Sequence, residues 1–256
     1  MGSDHGEIDP QELRRLPLEG PVNFRDLGGY VATDGRTVRR RHLFRSDALH
    51  RLTQSDATQV RALGVTTLID FRTAHELELS GRGGMGMLDA EHVHLPTFDT
   101  TRPMLEDEAI LASLITAPDA YMAMLHNGSD AYAAALRRVA RSEDPVVFFC
   151  AAGKDRTGVF AALVLGLLGV SDADVVADYA LTAEVIGRIH ALHSHDDPSM
   201  ERMAVRVGED LRGAFPESMT ETLARVHAEW GDWSGYAASI GVGTDELEDL
   251  RARLLV

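Results

Sequence analysis

The chain has 256 residues, of which 45% are hydrophobic, and this is enough for one large α/β domain or two small ones. Its formal net charge of −15 argues against nucleic acid as a partner, because most of the protein surface would repel a phosphate backbone. A single cysteine excludes a framework of intrachain disulfides, and the sequence shows neither a secretory signal nor an apolar run long enough to cross a bilayer. We therefore expect a cytoplasmic protein without an integral membrane segment.

In chain order, a polar head at 1–12 is followed by elements with no repeat and no low-complexity linker, which predicts a single domain over 1–256. Helical patterns cover about 53–63 and 119–141. Three short segments are apolar and rich in β-forming residues, as strands covered on both faces would be: 65–71, 92–96 and 146–150. The alternation predicts an α/β fold with a mainly parallel sheet flanked by helices.

The chain from 171 to 256 has a different character, since its segments favour helices separated by polar or glycine-rich turns. Three hydroxyl residues stand where helices would begin and are candidate N-caps: Ser171, Ser218 and Thr244. We therefore expect a helical C-terminal part.

The stretch 146-VVFFCAAGKDRTGVFAALVLGLLG-169 predicts a strand, a loop and a helix, with Cys150 at the carboxyl end of the strand. Open α/β sheets bind ligands at this edge, where loop N–H groups and the positive end of a helix can hold one anion. Six residues later, Arg156 can hold two phosphate oxygens with its planar fork. Such a field favours the thiolate, so Cys150 is a candidate nucleophile.

A lone cysteine at a strand end is more often a small core residue than a reactive one. Here, however, Gly153, Arg156, Thr157 and Gly158 all stand at the offsets of a phosphate-binding loop, and chance would rarely place four such residues together. The pattern therefore favours a reactive thiol.

The segment C-A-A-G-K-D-R-T-G resembles the C-x5-R-T-G phosphate loop of cysteine-dependent phosphatases, in the form found in the atypical bacterial tyrosine/serine phosphatase family. Four further motifs match that family in its order: 23-NFRDLGGY-30, 43-LFRSDAL-49, 69-IDFRTAHELE-78 and 178-DYALT-182. The resemblance covers the chain from about residue 16 onward. One position departs from the pattern, because Phe149 stands where members usually carry a histidine.

The resemblance implies a cysteine-phosphatase fold in which helices after the loop form a lid over the pocket. It also implies that Cys150 attacks phosphorus, that Arg156 holds the equatorial oxygens, and that a phosphocysteine intermediate is hydrolysed without metal or cofactor. Phosphate or another oxyanion would be bound by the loop residues Ala151, Ala152, Gly153, Lys154, Asp155, Arg156 and Thr157. The implied substrates are phosphotyrosine or phosphoserine proteins and, through Lys154, phosphoinositides.

Two aspartates are candidates for the general acid. Asp70 lies at the end of a predicted strand, so it can reach the same sheet edge as Cys150, and its alternative role is a structural partner for Arg72. Asp155 lies inside the loop, where it would tend to repel phosphate, and its alternative role is to pair with an arginine and shape the loop. On these grounds the sequence slightly favours Asp70.

Two other loop residues have two possible roles each. Lys154 supplies a mobile cation for substrates with extra phosphates, or it is a solvated lysine. Thr157 donates its hydroxyl to the thiolate or the leaving sulfur, or it satisfies the first turn of the helix.

The motifs nearest the N-terminus contribute Arg25 with Asp26 and Arg45 with Ser46. For these residues a structural ion pair beside the loop is favoured over a chemical role.

Two rival functions stay open for a loop of this kind. One is a sulfurtransferase or arsenate reductase, which is disfavoured by Lys154 followed by R-T-G and by the lack of a second cysteine. The other is a phosphate-binding module without turnover, which Phe149 makes conceivable. The surface that selects the substrate is expected in 97–125 and 172–215.

Overall fold

Five short strands form the sheet of the protein: β1 (Arg25–Asp26), β2 (Leu43–Ser46), β3 (Thr67–Asp70), β4 (Glu91–His94) and β5 (Val146–Phe149). The structure is a computed structural model that describes residues 14–97, 116–196 and 213–256. The strand order is β1-β2-β5-β3-β4, with β1 antiparallel to β2 and the other pairings parallel. The predicted mainly parallel sheet is confirmed.

The three central strands end in register, since Ser46 of β2, Phe149 of β5 and Asp70 of β3 occupy one row of the sheet. The next residue of each strand, Cys150 among them, therefore emerges at the same carboxyl edge. Ligand sites of open α/β sheets form at this edge.

Side chains alternate between the two faces of the sheet, and each face has its own apolar core. Ile69, Phe148 and Cys150 belong to the larger cluster of buried side chains, which also contains residues from most of the helices. Leu68 and Phe149 join the smaller cluster on the other face. The prediction of strands covered on both faces is confirmed for β3 and β5 and is wrong for β4, an edge strand whose residues are partly exposed. The neighbours Phe149 and Cys150 belong to different faces.

Ten α-helices lie in the described part of the chain: α1 (Gln54–Ala62), α2 (Ala74–Ser80), α3 (Ala117–Asn127), α4 (Ser129–Arg141), α5 (Asp155–Leu167), α6 (Asp172–Ala180), α7 (Ile186–Asp196), α8 (Pro216–Trp230), α9 (Trp233–Ser239) and α10 (Thr244–Leu254). The predicted helix at 53–63 is confirmed as α1. The helical pattern predicted over about 119–141 is confirmed as two helices, α3 and α4, which Gly128 separates. A Cβ at Gly128 would lie 2.7 Å from the carbonyl oxygen of Met124, so glycine permits the close turn there.

The C-terminal part is helical, as predicted, and its helices complete the larger core through Leu223, Trp233 and Leu250. Ser171 is confirmed as the N-cap of α6, where its hydroxyl accepts the N–H of Asp174 at 3.2 Å. None of the described helices combines the length and apolar composition that a bilayer crossing requires.

Two N-cap predictions are wrong, because the cap of α8 is Phe215, three positions before Ser218, and that of α10 lies one position before Thr244. Ser218 lies inside the first turn of α8, because Pro216 occupies the first helical position, which suits its fixed φ. Thr244 is the first residue of α10, and the cap is Gly243, whose N–H donates to the Glu246 carboxylate at 3.0 Å.

The sequence does not predict β1 and β2 as strands. β1 has only two residues, and both strands carry buried arginines, Arg25 and Arg45, in place of an apolar run. These strands contain arginines because both side chains form ion pairs beside the loop, as described below.

Candidate active site

The loop from Cys150 to Lys154 joins β5 to α5, and the thiol at its start is buried. Gly153 has a φ of +66°, which disfavours other residues. A Cβ on Gly153 would lie 2.5 Å from the carbonyl oxygen of Ser46. Glycine therefore lets the loop lie directly against the end of β2.

Three consecutive carbonyl groups of the loop accept hydrogen bonds from the surrounding scaffold. The oxygen of Ala151 accepts the N–H of Ala48 at 3.0 Å, and that of Ala152 accepts Asn23 Nδ2 at 3.1 Å. The oxygen of Gly153 accepts Arg45 Nη2 at 2.7 Å. Because a trans peptide directs each carbonyl and the next N–H to opposite sides, three successive N–H groups point away from these donors. N–H groups that converge in this way at the start of a helix are typical of anion-binding sites.

A buried carboxylate holds the two arginines of the scaffold. Asp178 of α6 lies 3.1 Å from Arg25 Nε and 2.5 Å from Arg45 Nη1. Arg25 Nη1 in turn donates to Asn23 Oδ1 at 2.5 Å, which turns the amide nitrogen of Asn23 toward the loop. Burial alone would raise the pKa of Asp178, but the two guanidinium groups hold it at about 2. The predicted structural ion pairing of Arg25 and Arg45 is thus present, with Asp178 as the shared partner.

Arg156 lies in the first turn of α5 and is paired with a carboxylate from another helix. Its Nη1 is 2.5 Å from Glu76 Oε2 and its Nη2 is 2.8 Å from Oε1. Nη1 also donates to the carbonyl of Phe71 at 3.3 Å. Burial alone would raise the pKa of Glu76, but Arg156 holds it below its usual range. Sequence reasoning missed Glu76, although T-A-H-E at 73–76 has the capping-box pattern that positions it.

Asp155 is the first residue of α5 and contacts two other polar side chains. Tyr121 of α3 donates its hydroxyl to Oδ1 at 2.8 Å, and Lys154 Nζ lies 3.2 Å from the same oxygen. The hydroxyl of Tyr179 lies 2.6 Å from that of Tyr121. The side chain of Asp155 stays 29% exposed, so its carboxyl group can be reached from outside the protein.

A model of the tyrosine phosphatase family matches residues 16–256, which include this loop and all of its described supports. The chain belongs to the tyrosine phosphatase family. A phosphatase of this family is a phosphoric monoester hydrolase, so the sulfurtransferase and arsenate reductase alternatives are disfavoured.

Two curated relatives are similar to the phosphatase over most of its length. A tyrosine-protein phosphatase of Nostoc commune is 31% identical over 82% of this chain and 73% of its own. The triple specificity protein phosphatase PtpB of Mycobacterium tuberculosis is 27% identical over 95% of this chain and 99% of its own. The alignment with the second relative therefore spans nearly the whole of both proteins.

Lys154, the only lysine of the phosphatase, does not lie in solvent. The residue is 3% exposed, and its Nζ donates to the carbonyl of Gly213 at 3.1 Å as well as contacting Asp155. The alternative of a solvated lysine is therefore wrong. The structure also holds the side chain in place, in contrast to the predicted mobile cation.

Asp70 is fully buried, and its partners differ from those expected of a general acid. Both carboxylate oxygens accept from Arg72, and His92 Nε2 lies 2.9 Å from Oδ2. Burial alone would raise its pKa, but the hydrogen bonds from His92 and Arg72 hold it below its usual range. Asp70 lies in the row of Phe149, so its side chain points to the face opposite Cys150. This geometry favours the structural alternative and counts against the predicted acid role.

The hydroxyl oxygen of Thr157 is buried and has no hydrogen-bond partner among the described residues. It does not, then, satisfy the end of α5, which was one of its two possible roles. Phe149, which replaces the usual histidine, is buried in the smaller core with the Arg72 guanidinium 5.6 Å from its ring centre.

The described residues contain no group of three His, Cys, Asp or Glu side chains arranged to hold a metal ion. Parts of the expected substrate-selecting surface, 98–115 and 197–212, lie outside the described residues. So does the middle of the predicted lid.

Proposed function

We propose that the protein hydrolyses phosphoric monoesters of proteins through a phosphocysteine intermediate. The observation that carries this proposal is the set of outward carbonyls at Ala151, Ala152 and Gly153, which directs the N–H groups that follow them to the opposite side of the loop, where an anion can bind. The sulfur attacks phosphorus, the bond to the leaving oxygen breaks, and that oxygen takes a proton. Water then attacks the phosphocysteine and releases inorganic phosphate and the thiolate.

In this proposal Arg156 binds the equatorial phosphate oxygens. A guanidinium has five N–H groups, and those of Arg156 that face Glu76 and Phe71 are already engaged. Among the described contacts, the Nε–H and the second hydrogen of Nη2 have no partner. They lie on one edge of the guanidinium, where they can bind two oxygens at once. Arg156→Lys should lower kcat by about 10²- to 10³-fold, because a point charge cannot reproduce this fork.

We propose that Asp155, and not Asp70, is the general acid that donates a proton to the leaving group. Asp155 is partly exposed beside the loop, whereas Asp70 is enclosed by Arg72 and His92 on the other sheet face. A group that transfers a proton must reach the reacting atom before its proton affinity matters.

The test uses p-nitrophenyl phosphate with and without a chelator, on the wild-type protein and Cys150→Ser. We expect chelator-resistant activity that vanadate inhibits and that Cys150→Ser abolishes. Because the chain has one cysteine, acid-quenched turnover should place a phosphoryl adduct on the single peptide that contains it. Turnover that requires metal, or that persists in Cys150→Ser, would contradict the proposal. Binding of phosphate without turnover would instead support the rival binding module.

The proposed substrates are phosphotyrosine and phosphoserine proteins, with phosphoinositides as a further class. The buried amine of Lys154 beside the loop supports the further class, since it adds charge for a second phosphate. The name of the PtpB relative, triple specificity, is in agreement with a broad range. Lys154→Ala should reduce kcat/KM more on a multiply phosphorylated lipid than on a phosphotyrosine peptide. Equal losses on both substrates would remove this role.

A further inference from the structure

Two buried phenols connect Asp155 to the helices α3 and α6. Tyr121 and Tyr179 are 0% and 1% exposed, their hydroxyl oxygens are 2.6 Å apart, and that of Tyr121 is 2.8 Å from Asp155 Oδ1. Buried hydroxyls need partners, and these two find them in each other and in the loop carboxylate.

The carboxylate of Asp155 determines which hydroxyl donates in each of these two hydrogen bonds. An ionised carboxylate can only accept, so Tyr121 donates its single proton to Asp155. The proton between the two phenols must then come from Tyr179. Burial, and after it the charge of Asp155, raises the pKa of both phenols above their usual value, so both remain donors.

The ring of Tyr179 also packs on the backbone of the loop helix. A Cβ at Gly158 would lie 3.1 Å from Cδ2 of Tyr179, so glycine leaves room for the ring to lie against α5. The position of the Tyr179 ring, and with it that of the phenol pair, therefore depends on a glycine at position 158 of the R-T-G segment.

We infer that Tyr121, supported by Tyr179, is a positioning residue that fixes Asp155 for proton transfer to the leaving group. Both contacts described for the carboxylate, from Tyr121 and Lys154, are made by Oδ1. The transferable proton then resides on Oδ2, and the carboxyl group cannot rotate without losing two donors. This inference rests on the proposed role of Asp155.

Other charged and titratable groups belong to the same cluster and are unchanged in the variants below. Lys154 of the loop contacts this carboxylate, and Arg156 of α5 and Tyr132 of α4 interact with it electrostatically. Cys150 acts on Arg156 and Tyr132, and Arg45 of β2 acts on Tyr179. A difference between variants that change only one phenol can therefore be attributed to the hydroxyl that was removed.

The experiment compares Tyr121→Phe and Tyr179→Phe with Tyr236→Phe as matched control. Tyr236 is a buried phenol that donates to the Leu125 carbonyl of the same helix α3, without contact to Asp155. For each variant, kcat/KM is measured against pH on phenyl phosphate and on p-nitrophenyl phosphate, and thermal unfolding reports the fold.

We expect Tyr121→Phe to move the basic limb of the pH profile of kcat/KM on phenyl phosphate upward, because the carboxyl group loses one of its two described hydrogen-bond donors. Its rate on phenyl phosphate should fall about tenfold, while that on p-nitrophenyl phosphate, whose leaving group needs little protonation, should hardly change. Tyr179→Phe should give a smaller shift in the same direction, and Tyr236→Phe none.

The variant Asp155→Asn separates failure of this inference from failure of the assignment on which it rests. Selective loss on phenyl phosphate in Asp155→Asn, with no limb shift in Tyr121→Phe, would overturn the positioning role alone. Equal losses on both substrates in Asp155→Asn would overturn the acid assignment and the inference together. A limb shift in Tyr236→Phe as large as that in Tyr121→Phe would also overturn the inference, since it would reflect general loosening of α3.

Discussion

Glu76 and Arg156 face each other through two parallel hydrogen bonds, of 2.5 and 2.8 Å. Glu76 Oε2 also accepts the backbone N–H of Thr73 at 2.7 Å, in the capping box of α2. One carboxylate therefore closes the start of a helix and fixes the plane of the loop arginine.

The first prediction concerns this pair. Glu76→Gln should lower kcat/KM about 10- to 100-fold, because the amide NH₂ repels one Nη group and the fork loses its fixed plane. Vanadate affinity should fall in parallel. The matched control is Glu78→Gln, at an exposed position of the same helix, which should leave both quantities unchanged. Equal effects of the two variants would indicate that α2, and not the ion pair, is responsible.

The second prediction tests the positive φ of Gly153. Gly153→Ala should abolish vanadate binding and lower activity at least about 10²-fold, because the added Cβ collides with backbone at the end of β2. Gly187→Ala is the control, since a Cβ there meets nothing within 4 Å. It should keep full activity and stabilise α7 by about 0.5 to 1 kcal/mol. Calorimetry and a vanadate titration measure both outcomes.

The third prediction is a loss of stability in acid that depends on Asp178. Its folded pKa of about 2 lies below the ordinary value of 3.8, so the carboxylate stabilises the fold above about pH 4. This contribution, of about 2 to 3 kcal/mol, is lost as the pH falls toward 2. Asp178→Asn should cost about 3 to 5 kcal/mol at pH 7, because Arg25 and Arg45 are left buried without their anion.

Urea unfolding between pH 7 and pH 2 checks this prediction. The stability of Asp178→Asn should vary less between pH 4 and pH 2 than that of the wild type. Asp172→Asn, at an exposed position on α6, should keep the wild-type slope. An equal slope in Asp178→Asn and the wild type would show that other carboxylates dominate acid unfolding.

The loop around Cys150 could be predicted from sequence because its signal is local. Strand, glycine, arginine and helix follow one another within a few residues, and each has a known backbone preference. The partner of Arg156 could not be predicted in the same way, since Glu76 is 80 positions away. Only the register of β3 with β5 brings the segments that carry them together.

For Asp70, the position in the sheet could be predicted from the sequence, but the direction of the side chain was not predicted. Its position at a strand end correctly predicts that it lies at the carboxyl edge of the sheet, but alternation places its side chain on the face opposite Cys150, against Arg72 and His92. The two arginine-bearing strands were missed for a related reason. Their residues Arg25 and Arg45 are buried around Asp178, and a buried polar strand has no hydrophobic pattern to detect.

The fourth prediction concerns the hydroxyl of Thr157. Thr157→Val removes a buried oxygen without a described partner, so the free energy of unfolding should be unchanged or rise by about 1 kcal/mol. If the hydroxyl donates to the leaving sulfur, hydrolysis of the phosphocysteine should slow at the same time. Rapid-quench kinetics should then show a larger burst and a lower steady-state rate. A variant that is less stable and has an unchanged burst would return Thr157 to a purely structural role.

The fifth prediction separates the two aspartates by leaving-group basicity. Asp155→Asn should hardly slow p-nitrophenyl phosphate but slow phenyl or alkyl phosphates by about 10² to 10⁴, the usual contribution of a general acid. Asp70→Asn should instead slow all substrates by a similar factor and lower thermal stability, because Arg72 and His92 lose the anion that they share.

The slope of log kcat/KM against leaving-group pKa measures the difference between these variants. A steep slope for Asp155→Asn and a wild-type slope for Asp70→Asn would support the assignment made from the structure. The reverse result would return the acid role to Asp70 and would require its side chain to leave Arg72 during turnover. Wild-type slopes in both variants would mean that another group, or water, protonates the leaving oxygen, and that the carboxylate beside Tyr121 serves only the shape of the loop.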